Sequence, residues 1–183
     1  MGRDDRLLEK KIDGKRVYEG NILDLEVDRV RLPSGGEATR EVVRHTGAVV
    51  VLPLHEDRRV ELVRQYRYPM GDILLELPAG KIDPGEEPRK CAGRELAEET
   101  GWQPIELHEL GSFFTTPGFT DELLYAFIAT PLGPAPEVDQ DPDEAIENVT
   151  LTVEEALAAC RDGTIRDSKT LATLLLAQLH GFI

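Results

Sequence analysis

Between Gly47 and Pro78 the chain carries three short apolar runs, "AVVVLPL", "VELVRQYRY" and "ILLELP", separated by turn-forming and charged residues. Each is brief and rich in Val, Leu and Ile, so each reads as a strand of a buried sheet. Upstream the pattern is different. "NILDLEVDRVRL" alternates Leu23, Leu25 and Val27 with Asp24, Glu26 and Asp28, the period of a half-buried strand. A turn signal at 33–37, "PSGGE", and a second extended run, "ATREVVRH", follow, so residues 15–44 read as an antiparallel appendage. Downstream the pattern predicts one helix inside residues 80–101, a strand near 122–129 ("ELLYAFIA"), an acidic proline-broken loop over 131–144, and two amphipathic helices near 153–161 and 168–180. Strands and helices mix without regular βαβ alternation, which gives an α+β fold with a mixed sheet. The expected division is a β appendage at 1–44 and a main domain at 45–183.

Composition narrows the function classes. A chain of 183 residues with 40% hydrophobic content has enough apolar material for one well-buried core. No apolar run reaches the ~18 residues a membrane helix needs. The N-terminus is charged and has no apolar signal core, and Cys91 and Cys160 make no disulfide framework, so a reduced cytoplasm is the expected setting. A net charge of −14 is a poor match for nucleic acid. It allows a small phosphorylated substrate only if cations neutralise the site.

The stretch "GKIDPGEEPRKCAGRELAEETG", Gly80 to Gly101, concentrates the chemistry. Asp83-Pro84-Gly85 is a turn, so the helix starts near Glu86 or Glu87 with Pro88 in its first turn, and Gly101 suits the position just past its end. At 100° per residue, Gly93, Leu96, Ala97 and Thr100 share the expected core face, leaving Glu95, Glu98 and Glu99 on the opposite side. Both like-charged pairs made by Glu95, at i,i+3 and i,i+4, cost roughly 0.2–0.5 kcal/mol each. Glu98 and Glu99 also stand at the helix end that disfavours anions. Arg94 is spaced to relieve Glu98 alone. Stacked carboxylates of this kind supply the hard oxygen donors that Mg²⁺ and Mn²⁺ prefer.

Gly80, five residues, Glu86, seven residues, then Arg94-Glu95-Leu96-Ala97-Glu98-Glu99-Thr100-Gly101 resembles the Nudix box of nucleoside diphosphate-X hydrolases. Every fixed polar and glycine position is filled, and the final aliphatic slot holds Trp102. The resemblance implies a Nudix-like α/β/α sandwich and two or three Mg²⁺ or Mn²⁺ ions at a diphosphate. Glu95 and Glu99 would be the principal ligands, with Glu98 ligating or supporting them and the Ala79 carbonyl completing a coordination sphere. Glu86 would add a ligand or pair with Arg94, and Arg94 would orient a carboxylate.

Pro117 lies sixteen residues after Gly101, in "SFFTTPGFTDE", an offset that resembles the mark of the ADP-ribose pyrophosphatase subfamily. "VRQYRYP" and "LLELPAGKID" look like the same subfamily, which makes Arg64, Arg67, Glu76, Pro117, Gly118 and Phe119 the candidate substrate-binding residues. Alone, Pro117-Gly118 reads as a type II turn, and strand arginines are often ion-pair partners. Tyr66, Tyr68 and Phe119 are candidates for stacking on adenine, although core packing is the commoner use of such residues. The subfamily's N-terminal arm supports a swapped homodimer. Its base or extra ligand comes from an acidic loop, here "DQDPDEAIE", in which Glu144 is the matching acid. The four histidines show no metal-ligand spacing.

The expected activity is therefore metal-dependent hydrolysis of ADP-ribose to AMP and ribose 5-phosphate. The alternatives are hydrolysis of another nucleoside diphosphate sugar or a dinucleotide, and a non-catalytic module that binds ADP-ribose. The intact box disfavours the last.

Overall fold

The computed structural model describes residues 5–136 and 145–183. The chain divides into two compact units, one of residues 1–45 with Phe114–Glu122 and one of residues 46–113 with Leu123–Ile183.

The first unit is an antiparallel sheet of β1 (Lys10–Glu19), β2 (Asp24–Arg31) and β3 (Glu37–Arg44), in that order. β2 is the strand read from its alternation. β1 begins earlier than the appendage expected at 15–44, because "KKIDGKRVYE" has too many charges to show a period of two. Phe114–Glu122 joins this unit: Val43 N–H donates to the Phe119 carbonyl at 2.8 Å, and the Arg44 guanidinium pairs with Asp121 at 3.0 Å.

The second unit is built on β4 (Ala48–Pro53), β5 (Arg59–Arg67), β6 (Asp72–Glu76), β7 (Ala79–Lys81), α1 (Pro88–Thr100), β8 (Trp102–Pro104), β9 (Leu107–Phe114), β10 (Leu123–Ala129), β11 (Leu132–Pro134), β12 (Ile146–Thr152), α2 (Val153–Asp162) and α3 (Ser168–Leu179). A four-stranded sheet runs β7-β4-β10-β9, with β4 and β10 parallel and β4 and β7 antiparallel. Its central strands are apolar on both faces because helices cover both. Val49, Val51, Phe127 and Ala129 join Cys91, Ala92 and Leu96 of α1 in one core. Val50, Leu52, Ala126 and Ile128 join Leu174 and Ala177 of α3 in the other. One strand thus feeds two cores by simple alternation, the sandwich expected of the family resemblance.

A second sheet, β12-β5-β6, corrects the reading of the acidic segment. Ile146 and Glu147 are strand residues paired with Gln65 and Arg64, not loop. Leu132–Pro134, also read as loop, pairs with β8 as β11. Proline there ends or edges a strand without preventing it.

Candidate active site

α1 opens at Pro88, with Glu87 in the extended N-cap position, and ends at Gly101 in the left-handed conformation, φ 73°. Its buried residues are Cys91, Ala92, Leu96, Glu99 and Thr100. The core face is therefore rotated from the one expected: Gly93 and Ala97 are only half-buried, and Glu99 turns inward. The reason is a donor inside. Glu99 Oε2 accepts the Ala79 amide N–H at 3.2 Å, and Arg67 feels its charge. A buried carboxylate keeps its charge when donors and cations face it.

β7 runs beside α1 and shapes the space the acids use. A Cβ built on Gly80 would land on the Glu95 carboxylate, so only glycine leaves that carboxylate where it lies. Arg94 does more than relieve Glu98. Its Nε and Nη2 donate to Glu86 at 3.0 Å each, and its Nη1 stands 2.7 Å from Glu95 and 2.9 Å from Glu98. This one guanidinium compensates a helix face that spacing alone left repulsive. Its hydrogen bonds hold the Glu86 carboxyl down at about 2 against the penalty of burial, and Glu86 in turn raises the Arg94 pKa. Of the two roles considered for Glu86, the structure shows the pairing with Arg94.

The donors at this face are the carboxylate oxygens of Glu95, Glu98 and Glu99, hard ligands suited to Mg²⁺ or Mn²⁺. Gly80 supplies the room. Among the described residues no three acids, histidines or cysteines already converge with the spacing of a metal centre. Arg94 supplies the positive charge they share. The donor set fits a divalent cation; its gathering around one is not formed here.

Arg67 closes β5 and is fixed by Glu76 of β6 in a bidentate pair, Nε to Oε1 at 3.0 Å and Nη2 to Oε2 at 2.7 Å. Glu76 is 1% exposed and cannot itself present a free carboxylate to solvent. Lys169 of α3 donates to Glu76 Oε2, the oxygen that also accepts from Arg67 Nη2, and stands 3.1 Å from Asp167, the α3 N-cap. Arg67, Glu76, Lys169, Met70, Leu74 and Arg166 line a cavity of about 450 Å³. Arg67 Nη1 makes no hydrogen bond to a described residue, so that edge of the guanidinium remains available. Lys169 escaped the sequence reading. Its signal is a cation in the first turn of a helix, the end that disfavours it, which points to an anionic partner elsewhere.

The remaining candidates separate. Arg64 is exposed and pairs with Glu147 at 2.9 Å, the plain strand ion pair. Tyr66 and Tyr68 are exposed in the second unit, and Phe119 is exposed in the first, so none of the three is core packing. Pro117 and Gly118 sit in a turn where the Phe119 and Thr120 N–H groups both donate to the Thr116 carbonyl at 3.2 Å. Gly118 is not among the glycines with positive φ, so the turn is not type II. Glu144, the candidate base, lies outside the described residues, as do Asp139, Asp141 and Asp143.

The layered fold and the acidic helix against β7 define the class: the chain belongs to the Nudix family and is a Nudix hydrolase. The NUDIX domain matches residues 43–174, and a nucleoside diphosphate sugar hydrolase N-terminal domain matches residues 9–43. Among individual relatives, it is 40% identical to a methanol dehydrogenase activator from Bacillus methanolicus and 38% identical to an ADP-ribose pyrophosphatase from Bacillus subtilis, each over 94% of both chains. A crystal structure of an ADP compounds hydrolase superposes with a TM-score of 0.85 at 22% identity, covering 97% of this chain and 98% of that one. Nudix hydrolases generally need a divalent metal.

Proposed function

We propose that this enzyme hydrolyses the diphosphate of ADP-ribose to AMP and ribose 5-phosphate with the help of Mg²⁺ or Mn²⁺. The observation that carries the reading is the placement of Glu95, Glu98 and Glu99. Three like charges crowd a helix end that disfavours anions, with Arg94 to share between two of them, and a glycine at position 80 and the Ala79 amide hold space and a donor for Glu95 and Glu99. Folding stability alone does not favour that arrangement.

Glu95 and Glu99 would hold the cations, with Glu98 and the Ala79 carbonyl as further donors and Arg94 setting the carboxylates' orientation. Bound cations would neutralise the diphosphate and make a water nucleophilic at neutral pH. The free edge of Arg67 would take a phosphate oxygen, a planar guanidinium being suited to that contact. The water oxygen forms the new P–O bond, the bridging P–O bond breaks, and the departing phosphate keeps the bridging oxygen. The proton goes to a base for which Glu144 is the proposed residue, on the family resemblance alone.

We also place this chemistry in a homodimer. β1 is exposed along its whole length, and the first unit exposes Ile12, Val17, Tyr18, Ile22 and Leu23, an apolar surface that a second copy would cover. Residues 15–44 would cross to the partner and help to shape its site.

A second reading, hydrolysis of a different nucleoside diphosphate sugar, is supported by the match of residues 9–43 to the nucleoside diphosphate sugar hydrolase domain. One experiment separates the two. The protein is incubated with ADP-ribose, other nucleoside diphosphate sugars, NADH, diadenosine polyphosphates and nucleoside triphosphates, with and without Mg²⁺ or Mn²⁺, and the products are identified. ADP-ribose should give the highest kcat/KM, with AMP and ribose 5-phosphate formed only when metal is present. A higher kcat/KM on another nucleoside diphosphate sugar would move the assignment to the second reading.

A further inference from the structure

Lys169 is the second residue of α3, where the backbone N–H groups already concentrate positive charge. Helix formation therefore gives no reason for a cation there, and the reason lies across the fold. Lys169 is largely buried and is shared by two carboxylates, Glu76 of β6 and the N-cap Asp167. Asp167 is held in turn by the Thr170 amide at 2.9 Å and the Thr170 hydroxyl at 2.6 Å. The Thr170 hydroxyl also accepts the Leu77 amide N–H at 2.8 Å, one residue beyond Glu76. The start of α3 is thus stitched to the end of β6 through three side chains, and the element gripped is the one that carries Glu76.

Glu76 spends both of its oxygens on Arg67. Arginine has high rotamer entropy and binds a phosphate well only when its plane is already fixed. Held by Glu76 alone, Arg67 would form a simple neutralised pair able to swing with the β5–β6 hairpin. With Lys169 as a second cation on the same carboxylate, Glu76 cannot follow Arg67, and its negative charge is divided between two partners. Arg67 then keeps a fixed orientation, with Glu99 and Asp167 also acting on its charge, and leaves Nη1 for an anion.

We propose that Lys169 is a positioning residue for substrate binding, acting on Arg67 through Glu76. The inference rests on the proposed contact of Arg67 with the substrate diphosphate. Because that contact would be made alike in the ground state and the transition state, its loss should appear in KM and not in kcat.

The test is a double-mutant cycle on the full-length protein with Lys169→Met, Arg67→Ala and both together, measuring kcat and KM for ADP-ribose at saturating Mg²⁺, with a thermal melt of each protein. Arg67→Ala should raise KM. Lys169→Met should raise KM roughly tenfold, the low end of what removing an outer-shell partner costs at other sites. Its kcat should stay within about twofold of the parent's. In the Arg67→Ala background the Lys169 substitution should leave KM where it is, because nothing remains to be positioned. If Lys169→Met folds poorly, Lys169→Gln replaces it, keeping a donor for Glu76 without the charge. A purely structural Lys169 would lower the melting temperature and leave KM alone, and parental KM in a folded Lys169 variant overturns the inference. The same KM increase with and without Arg67 also overturns it, while leaving the role of Arg67 standing. Parental KM in Arg67→Ala removes the diphosphate contact, and this inference with it.

Discussion

The Glu95 carboxylate lies against Gly80, in the volume that a Cβ at that position would fill. A β-strand residue has been reduced to backbone so that an acid on the neighbouring helix has a defined seat. The atoms met are the far end of a flexible side chain, so Gly80→Ala should cost about 1 kcal/mol, the low end for overpacking, while pushing the carboxylate aside. Turnover of ADP-ribose should drop by at least about tenfold, in keeping with loss of a correctly placed metal ligand. A folded Gly80→Ala enzyme with parental kcat would show that the seat is irrelevant to the chemistry.

Glu76 gives a pH signature. Burial pushes its carboxyl up, but Arg67 and Lys169 outweigh that and hold it below the ordinary value of 4.5. A carboxyl with a depressed folded pKa contributes stability that is fully present above the unfolded value and is lost as pH falls through the folded one. Glu76→Gln should therefore be destabilised at pH 7, by about 3 kcal/mol for a largely buried pair with one partner removed. The gap in melting temperature between parent and variant should narrow below about pH 4.5. A gap that stays constant through the acid range would contradict the sign of this shift.

Cys91 is packed in the α1 core, and burial pushes its thiol up to about 12, with Glu86 and Glu95 adding to the effect. Its thiolate is scarce at neutral pH, so it should resist a disulfide-exchange reagent such as DTNB in the folded protein and react once denaturant exposes it. Rapid native labelling at Cys91, located by peptide mapping, would mean that α1 opens far more readily than its packing implies.

Much of this architecture is legible in the chain. The runs at 48–54, 60–68 and 73–78 show β4, β5 and β6 because buried strands concentrate Val, Leu and Ile, and Pro88 and Gly101 mark the ends of α1 from their backbone preferences alone. What escaped depends on partners distant in sequence. β12 hides beside an acidic run and becomes a strand because β5 offers it an edge; Glu147 then pairs with Arg64 directly across the ladder. The buried face of α1 departs from the periodic one because Glu99 counts as polar in any periodicity, while the Ala79 amide, twenty residues earlier, and the charge of Arg67 favour its burial. Likewise Arg94 reaches Glu86 and Glu95 as well as Glu98, which helical spacing alone did not reveal.

The proposed homodimer is open to a direct measurement. With β1 exposed throughout and an apolar surface on the first unit, light scattering at micromolar concentration should return twice the 20.4 kDa chain mass. Val17→Glu and Tyr18→Glu together should shift the mass toward monomer and lower activity in parallel. A monomeric parent with full activity would remove the arm from the account.

The most direct test of the account is the rate of Glu95→Gln and Glu99→Gln, each compared with the parent on ADP-ribose across a Mg²⁺ titration. Both substitutions keep the side-chain shape while removing a charge, at Glu95 from beside Arg94 and at Glu99 from beside the Ala79 amide, and a plain acidic helix face predicts unchanged rates. The metal-site account predicts folded proteins whose turnover falls by roughly 10²-fold or more, a barrier increase of about 2.7 kcal/mol, with a weakened dependence on the cation. Parental rates in both variants, at the parent's Mg²⁺ requirement, would contradict it.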